Sequence, residues 1–160
     1  MPARRDGSVE AAGGGMAEDT VAAPGTVAAP VDARDLRPFE YAIVRVVPRV
    51  ERGESLNAGI VLMSRAHRYL GARVELDAAA LVALSPDCDP DAVRTHLAAI
   101  ERVALGDVSA GPIALLSAPE RFHWLVSPSS TIIQPSGVHT GLTADPAATL
   151  EHLFRTLVRR

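Results

Sequence analysis

The sequence predicts an α+β fold: a small antiparallel sheet, built from a three-stranded meander plus a later strand and covered mainly on one face by helices. Three observations carry this expectation. Apolar, β-branched runs crowd together between residues 39 and 76. The joints between them, 48–57 and 64–68, are shorter than the dozen or more residues a parallel crossover needs. The second half of the chain then turns to helical spacing, punctuated by two Asp-Pro pairs whose helices are expected to supply the main cover on that one face.

The first strand spans Phe39 to Val47 and stops where Pro48 removes a ladder donor. Ala58 to Met63 is a second run of strand length, and Tyr69 to Leu76 a third, separated by the turn-prone Ser64-Arg65-Ala66-His67-Arg68. Asp77 caps a short helix through Leu84, which Pro86 stops. Asp89 and Pro90 open a longer helix that places Val93, Leu97, Ile100 and Ala104 on one face and ends at Gly106. Ser117-Ala118-Pro119-Glu120 has the form of a capping box and predicts a short helix over Arg121 to Val126, with a strand over Phe122 to Val126 as the alternative. Thr131 to Gln134 reads as the later strand, ended by Pro135. Asp145-Pro146 starts the last helix, with Leu150, Leu153, Phe154, Leu157 and Val158 as its apolar stripe and Arg155, Arg159 and Arg160 at its negative end.

Residues 1–36 are rich in Ala, Gly and Pro, carry acids and hold no aromatic residue. Such a composition buries too little to offset chain entropy, so this segment is expected to be a disordered tail ahead of a single domain at 37–160. Met16 offers a second translation start besides Met1. At 160 residues and 48% hydrophobic content, one core is what the chain can fill.

Every one of the 16 basic residues is Arg. Without lysine, the chain has no P-loop Lys, Schiff-base Lys or nucleophilic side-chain amine. Four Arg face six acids before Pro38, and twelve face thirteen after it, so neither part has the basic excess of a general nucleic-acid binder. Cys88 is the only cysteine and cannot form an internal disulfide, which fits a reducing, cytoplasmic setting; no run has the length of a membrane span. Trp124, the only Trp, reads as a core anchor against the sheet.

Recognised chemistry is sparse. Asp87-Cys88-Asp89-Pro90-Asp91 has the alternating acids of a calcium loop, but Ala92 stands where Gly is needed and Ala98 where a bidentate Glu is needed. It reads as an inter-helix turn. His67, His96, His123, His139 and His152 include no pair at metal spacing, so no metal and no cofactor are expected. His139 is followed directly by Thr140, unlike the two His-x-Thr repeats of an RNA-ligase-like phosphoesterase.

Between the first two strands lies Val47-Pro48-Arg49-Val50-Glu51-Arg52-Gly53-Glu54, a loop too charged for core. The stretch from Tyr41 to Gly59, with its Arg-Val-Val-Pro-Arg-x-Glu-Arg-Gly-Glu-x-x-Asn-x-Gly pattern, resembles the start of a bacterial family known as domain of unknown function 3037. Gln134-Pro135-Ser136-Gly137-Val138-His139-Thr140-Gly141 resembles a second stretch of that family. The likeness runs from about Pro38 to Arg160. It brings no activity with it, but it implies a kinase-like protein as partner.

Arg45 lies on the same alternating face as Tyr41, Ile43 and Val47. If that face is core, its guanidinium calls for a carboxylate, with Glu54 or Glu75 in reach. Asn57 is expected to close the charged loop onto nearby backbone, and His139 to sit in a rigid loop with its ring bonded internally. The competing reading gathers Arg45, Arg49, Asn57, Arg121, Gln134 and His139 around an anionic small molecule. The function expected first is therefore a small interaction or regulatory module without catalysis of its own; the alternative is a ligand-binding or hydrolytic domain acting on a phosphorylated small molecule or nucleotide.

Overall fold

The computed structural model describes residues 32–159; the expected tail falls outside the described residues apart from its last few. Those few include a 3₁₀ turn at Ala33–Asp35, where Asp32 accepts a hydrogen bond from the Arg34 amide. The meander follows as expected: β1 (Arg37–Val46), β2 (Leu56–Ser64) and β3 (Tyr69–Val74) pair antiparallel in the order β3-β2-β1. Tyr41 stands opposite Leu62, and Ile43 opposite Ile60. The register slips after Val44, which faces Gly59, so that Arg45 faces Asn57 and Ala58 is left over as a bulge.

The later strand is in fact two. β4 (Ile133–Pro135) and β5 (His139–Thr143) lie in series along the free side of β1, β4 against Val44 to Val46 and β5 against Arg37 to Tyr41. Pro135 belongs to β4 instead of ending it, which an edge position tolerates because no outer neighbour needs its missing N–H. The rigid loop expected around His139 is thus strand. Ser136 splices the two pieces: its amide donates to the Ile43 carbonyl at 2.8 Å, and its Oγ accepts from the Ile43 amide at 2.9 Å.

Four α-helices occur among the described residues: α1 (Ala78–Leu84), α2 (Pro90–Leu105), α3 (Ala118–Leu125) and α4 (Pro146–Leu157). Residues 118–125 are helical, which removes the strand alternative there. Cover is heavier on one face, where α1, α2 and α3 close over Val44, Val46, Val61 and Met63. The two Asp-Pro helices do not share that face. Leu150 and Phe154 of α4 pack with Phe39, Ile60 and Leu62 on the other side. The cause is in β2, where successive residues from Ala58 to Ser64 are all buried, so both faces of the strand demand cover.

Local chemistry fixes the ends of the helices. Asp89 accepts from the Asp91 amide, Pro90 holds the first helical position, and Gly106 closes α2 in the left-handed region at φ 75°. Glu101 of α2 reaches back to accept the Val74 amide at 2.8 Å, satisfying a donor on the outer edge of β3. Beyond Gly106, the Asp107 carboxylate accepts from Ser109 Oγ, Arg102 Nε and the Ser109 amide at 2.6–2.9 Å. The Ser109 and Arg102 bonds hold its pKa down at about 2. Because the folded value lies below the ordinary one, this turn contributes stability that is whole above about pH 4 and lost as pH falls towards 2. Urea midpoints of wild type and Asp107→Asn should differ at pH 6 and converge near pH 2; a pH-independent gap would contradict the assignment.

Candidate functional site

The six residues read as an anion site are brought together only in part. Arg45 lies in β1 between Asn57 of β2 and Gln134 of β4, so these three form one row across the sheet. His139 pairs with Tyr41 two positions further along the same face, and their rings stand 5.1 Å apart. Arg121 is elsewhere. It projects from α3 on the opposite side of the sheet and donates to the Leu116 and Ala104 carbonyls at 2.7 and 3.4 Å, tying α3 to the end of α2. Arg49 sits in the β1–β2 loop, where its carbonyl accepts the Arg52 and Gly53 amides; the Glu54 carboxyl in that loop is held below its ordinary pKa chiefly by its bond from Arg52, with a smaller contribution from the Arg49 charge.

Each member of the row bonds to backbone. Arg45 donates from Nη2 to the Pro135 carbonyl at 3.2 Å, Asn57 donates from Nδ2 to the Leu157 carbonyl of α4 at 2.9 Å, and Gln134 donates from Nε2 to the Thr131 carbonyl at 2.9 Å. Asn57 therefore fastens the sheet to α4 in place of closing its own loop. The carboxylate expected for Arg45 is not there: Glu54 is taken by Arg52 at 2.7 Å and Glu75 by Arg159 at 3.0 Å. Among the described residues Arg45 has no acid within 4.0 Å, and its buried Nε has no partner. Among the described residues no hydrogen bond holds the His139 ring; it is exposed and rests against Tyr41.

Arg45, Gln134 and the ring pair occupy the half of the α4 face that α4 leaves open, with Asn57 at its border with the helix. The helix packs chiefly on β2 and β3, while Tyr41, Ile43 and Arg45 remain half-buried and His139 exposed. Tyr41 is the member of the group that reading the sequence passed over. Its place on the Arg45 face was legible, but nothing short of the β1–β5 pairing puts His139 beside it.

A second surface lies on the other side of the molecule. Trp124 is not a core anchor: it is 51% exposed on α3, where Phe122 and Leu125 are the buried residues. Nearby, Leu105, Val108, Leu115 and Leu116 are also exposed, so five of the nine exposed large hydrophobics among the described residues fall between 105 and 124. Trp124 borders two recesses. One, with Leu116, Pro119 and His123, is shallow. The other, of about 570 Å³, lies between α2, α3 and the strand β4 and is walled by Ile100, Val103, Leu125, Ile132 and Ile133. Its hydroxyls are turned onto the chain's own carbonyls, Ser127 onto His123 and both Ser129 and Thr131 onto Ile133. What is left for a visitor is apolar.

No helix among the described residues is long and apolar enough to cross a membrane, and no cluster of three or more potential metal ligands occurs among them. Fold and surfaces together define a small α+β domain with helices on both faces of an antiparallel sheet. The chain belongs to the family described as Protein of unknown function (DUF3037), whose model matches residues 41–158. No curated protein and no solved structure matches it.

Proposed function

We propose that the protein is a small interaction or regulatory module, and that it binds its partner through the Trp124 surface. The observation that carries this reading is the exposed Trp124 set between two apolar recesses. Exposed apolar surface of that kind is what a free chain holds ready for another protein, and Trp is among the residues that most often dominate such contacts. The partner chemistry that fits is an amphipathic helix or short apolar segment carrying two large side chains, one for each recess. A polar metabolite fits poorly, because the hydroxyls of the deeper recess are already engaged.

The first partner to test is the kinase-like protein that the family resemblance implies. Calorimetric titration of the purified pair should give saturable binding, which Trp124→Ala weakens by about 2 kcal/mol, or roughly thirtyfold. Because Trp124 is half out of the core, the variant should keep its urea midpoint to within about 1 kcal/mol of wild type. Binding that survives both Trp124→Ala and Leu116→Asp would remove this surface from the proposal. A wild-type chain that fails to bind the kinase-like protein would remove that protein as the partner.

A further inference from the structure

The open half of the α4 face carries a different chemistry from the Trp124 surface. Three rings lead out onto it from the core under α4: Phe39 and Tyr41 with centroids 6.0 Å apart, then Tyr41 and His139 at 5.1 Å, each pair tilted by 30°. Burial falls along the run, from Phe39 at 7% exposure to His139 in solvent. Four residues along β1 from Tyr41, a spacing of about 13 Å in a strand, Arg45 lies on the same face. The floor between them is Ile43, whose backbone is fixed on its outer side by Ser136.

Arg45 is held in an unusual way. An arginine this far into a sheet ordinarily meets a carboxylate, and this one does not. One arm of the guanidinium is clamped to the Pro135 carbonyl. Among the described residues the other, Nη1, has no hydrogen-bond partner. The result is a fixed positive fork with a free arm on a face where neither Asn57 nor Gln134 brings charge. Such a fork is complementary to one oxyanion and suited to phosphate or carboxylate. The exposed ring at the other end is complementary to a flat, uncharged ring, and open sheets that present aromatic side chains in this way are stacking platforms.

We infer that this face is a binding site for a nucleoside phosphate, with the base against His139 and Tyr41 and the phosphate at Arg45. Both ends are needed. A ring without charge leaves Arg45 unanswered, and an inorganic anion leaves the rings uncovered. With one free guanidinium arm on the face, one phosphate is matched, so a monophosphate is the fitting ligand. No reaction is assigned to the site.

The test is titration of the full chain with AMP and GMP, followed by calorimetry and by NMR shifts of the His139 ring, with adenosine and inorganic phosphate as the half-ligands. The expected result is saturable binding of a monophosphate that perturbs His139, and at least tenfold weaker binding of both half-ligands. Arg45→Met and His139→Ala should each weaken the monophosphate at least tenfold. Trp124→Ala should leave it unchanged, which separates this site from the protein-docking surface. Arg45→Met strands no carboxylate and should keep the wild-type thermal transition; His139→Ala, at an exposed position, serves as the second variant whatever Arg45→Met does to folding. Absence of binding at millimolar nucleotide, binding that ignores both variants, or binding of single-stranded RNA without any binding of monophosphate would each overturn the inference.

Discussion

Phe154→Ala lowers the stability of the domain by about 3–5 kcal/mol, the range for emptying a fully buried aromatic site. The ring is wholly buried among Phe39, Ile60 and Leu62, and it is the main anchor of α4 on its face of the sheet. Its removal does more than leave a cavity. The guanidinium carbons of Arg73 and Arg159 each lie 5.4 Å from the ring centroid, and these two arginines also pair with Glu151 and Glu75. The ring therefore supports both ion pairs between α4 and the neighbourhood of β3. Urea midpoints measure the loss, and Phe154→Leu, which keeps most of the volume, should cost clearly less. A loss below about 1 kcal/mol for the Ala variant would mean that α4 contributes little to this core.

Gly59→Val is expected to cost on the order of 3 kcal/mol, at the upper end for overpacking. A Cβ at this position would stand 2.8 Å from the Arg73 carbonyl oxygen and 2.8 Å from Val74 Cγ1. The oxygen is backbone of β3 and cannot turn aside as a side-chain tip would. Gly59 also faces Val44 just before the register slip, so displacement there disturbs the pairing on both sides of β2. The contrast is Gly71, where the nearest atom is the tip of the Tyr69 side chain, which can rotate away. Gly59→Ala should lose less than Gly59→Val. Wild-type stability for the valine variant would show that β2 and β3 separate more easily than their pairing implies.

The fold was readable where local chemistry sets it. Asp77, Asp89 and Asp145 open their helices, Gly106 closes one, and the short joints enforce the meander. Burial on both faces of β2 was also written in the unbroken apolar run from Ala58 to Met63, although run length alone does not say which helix takes which face. The His139–Thr143 strand was obscured because His-Thr-Gly-Leu-Thr has neither alternation nor punctuation, and it becomes a strand only by pairing with β1 about a hundred residues earlier. Asn57 and Leu157 meet by the same kind of distant closure. The candidate site divided accordingly. Arg45 and Asn57 share a row through a hairpin that sequence can place, whereas the separation of Arg121 depends on which face α3 covers. Trp124 misled because size and hydrophobicity argue for burial, while its helix turns Phe122 and Leu125 inward in its place.

The splice at Ser136 bears on solubility. A β-sheet that stops at a long straight strand exposes a ladder of unpaired amides and carbonyls, on which a second molecule can grow a further strand. Here that border is cut into pieces of three and five residues, with Pro135 at the break and the Ser136 hydroxyl occupying the Ile43 amide. On that border no uninterrupted template is left for fibre-like stacking, even though Leu142 stands 63% exposed on the outer strand.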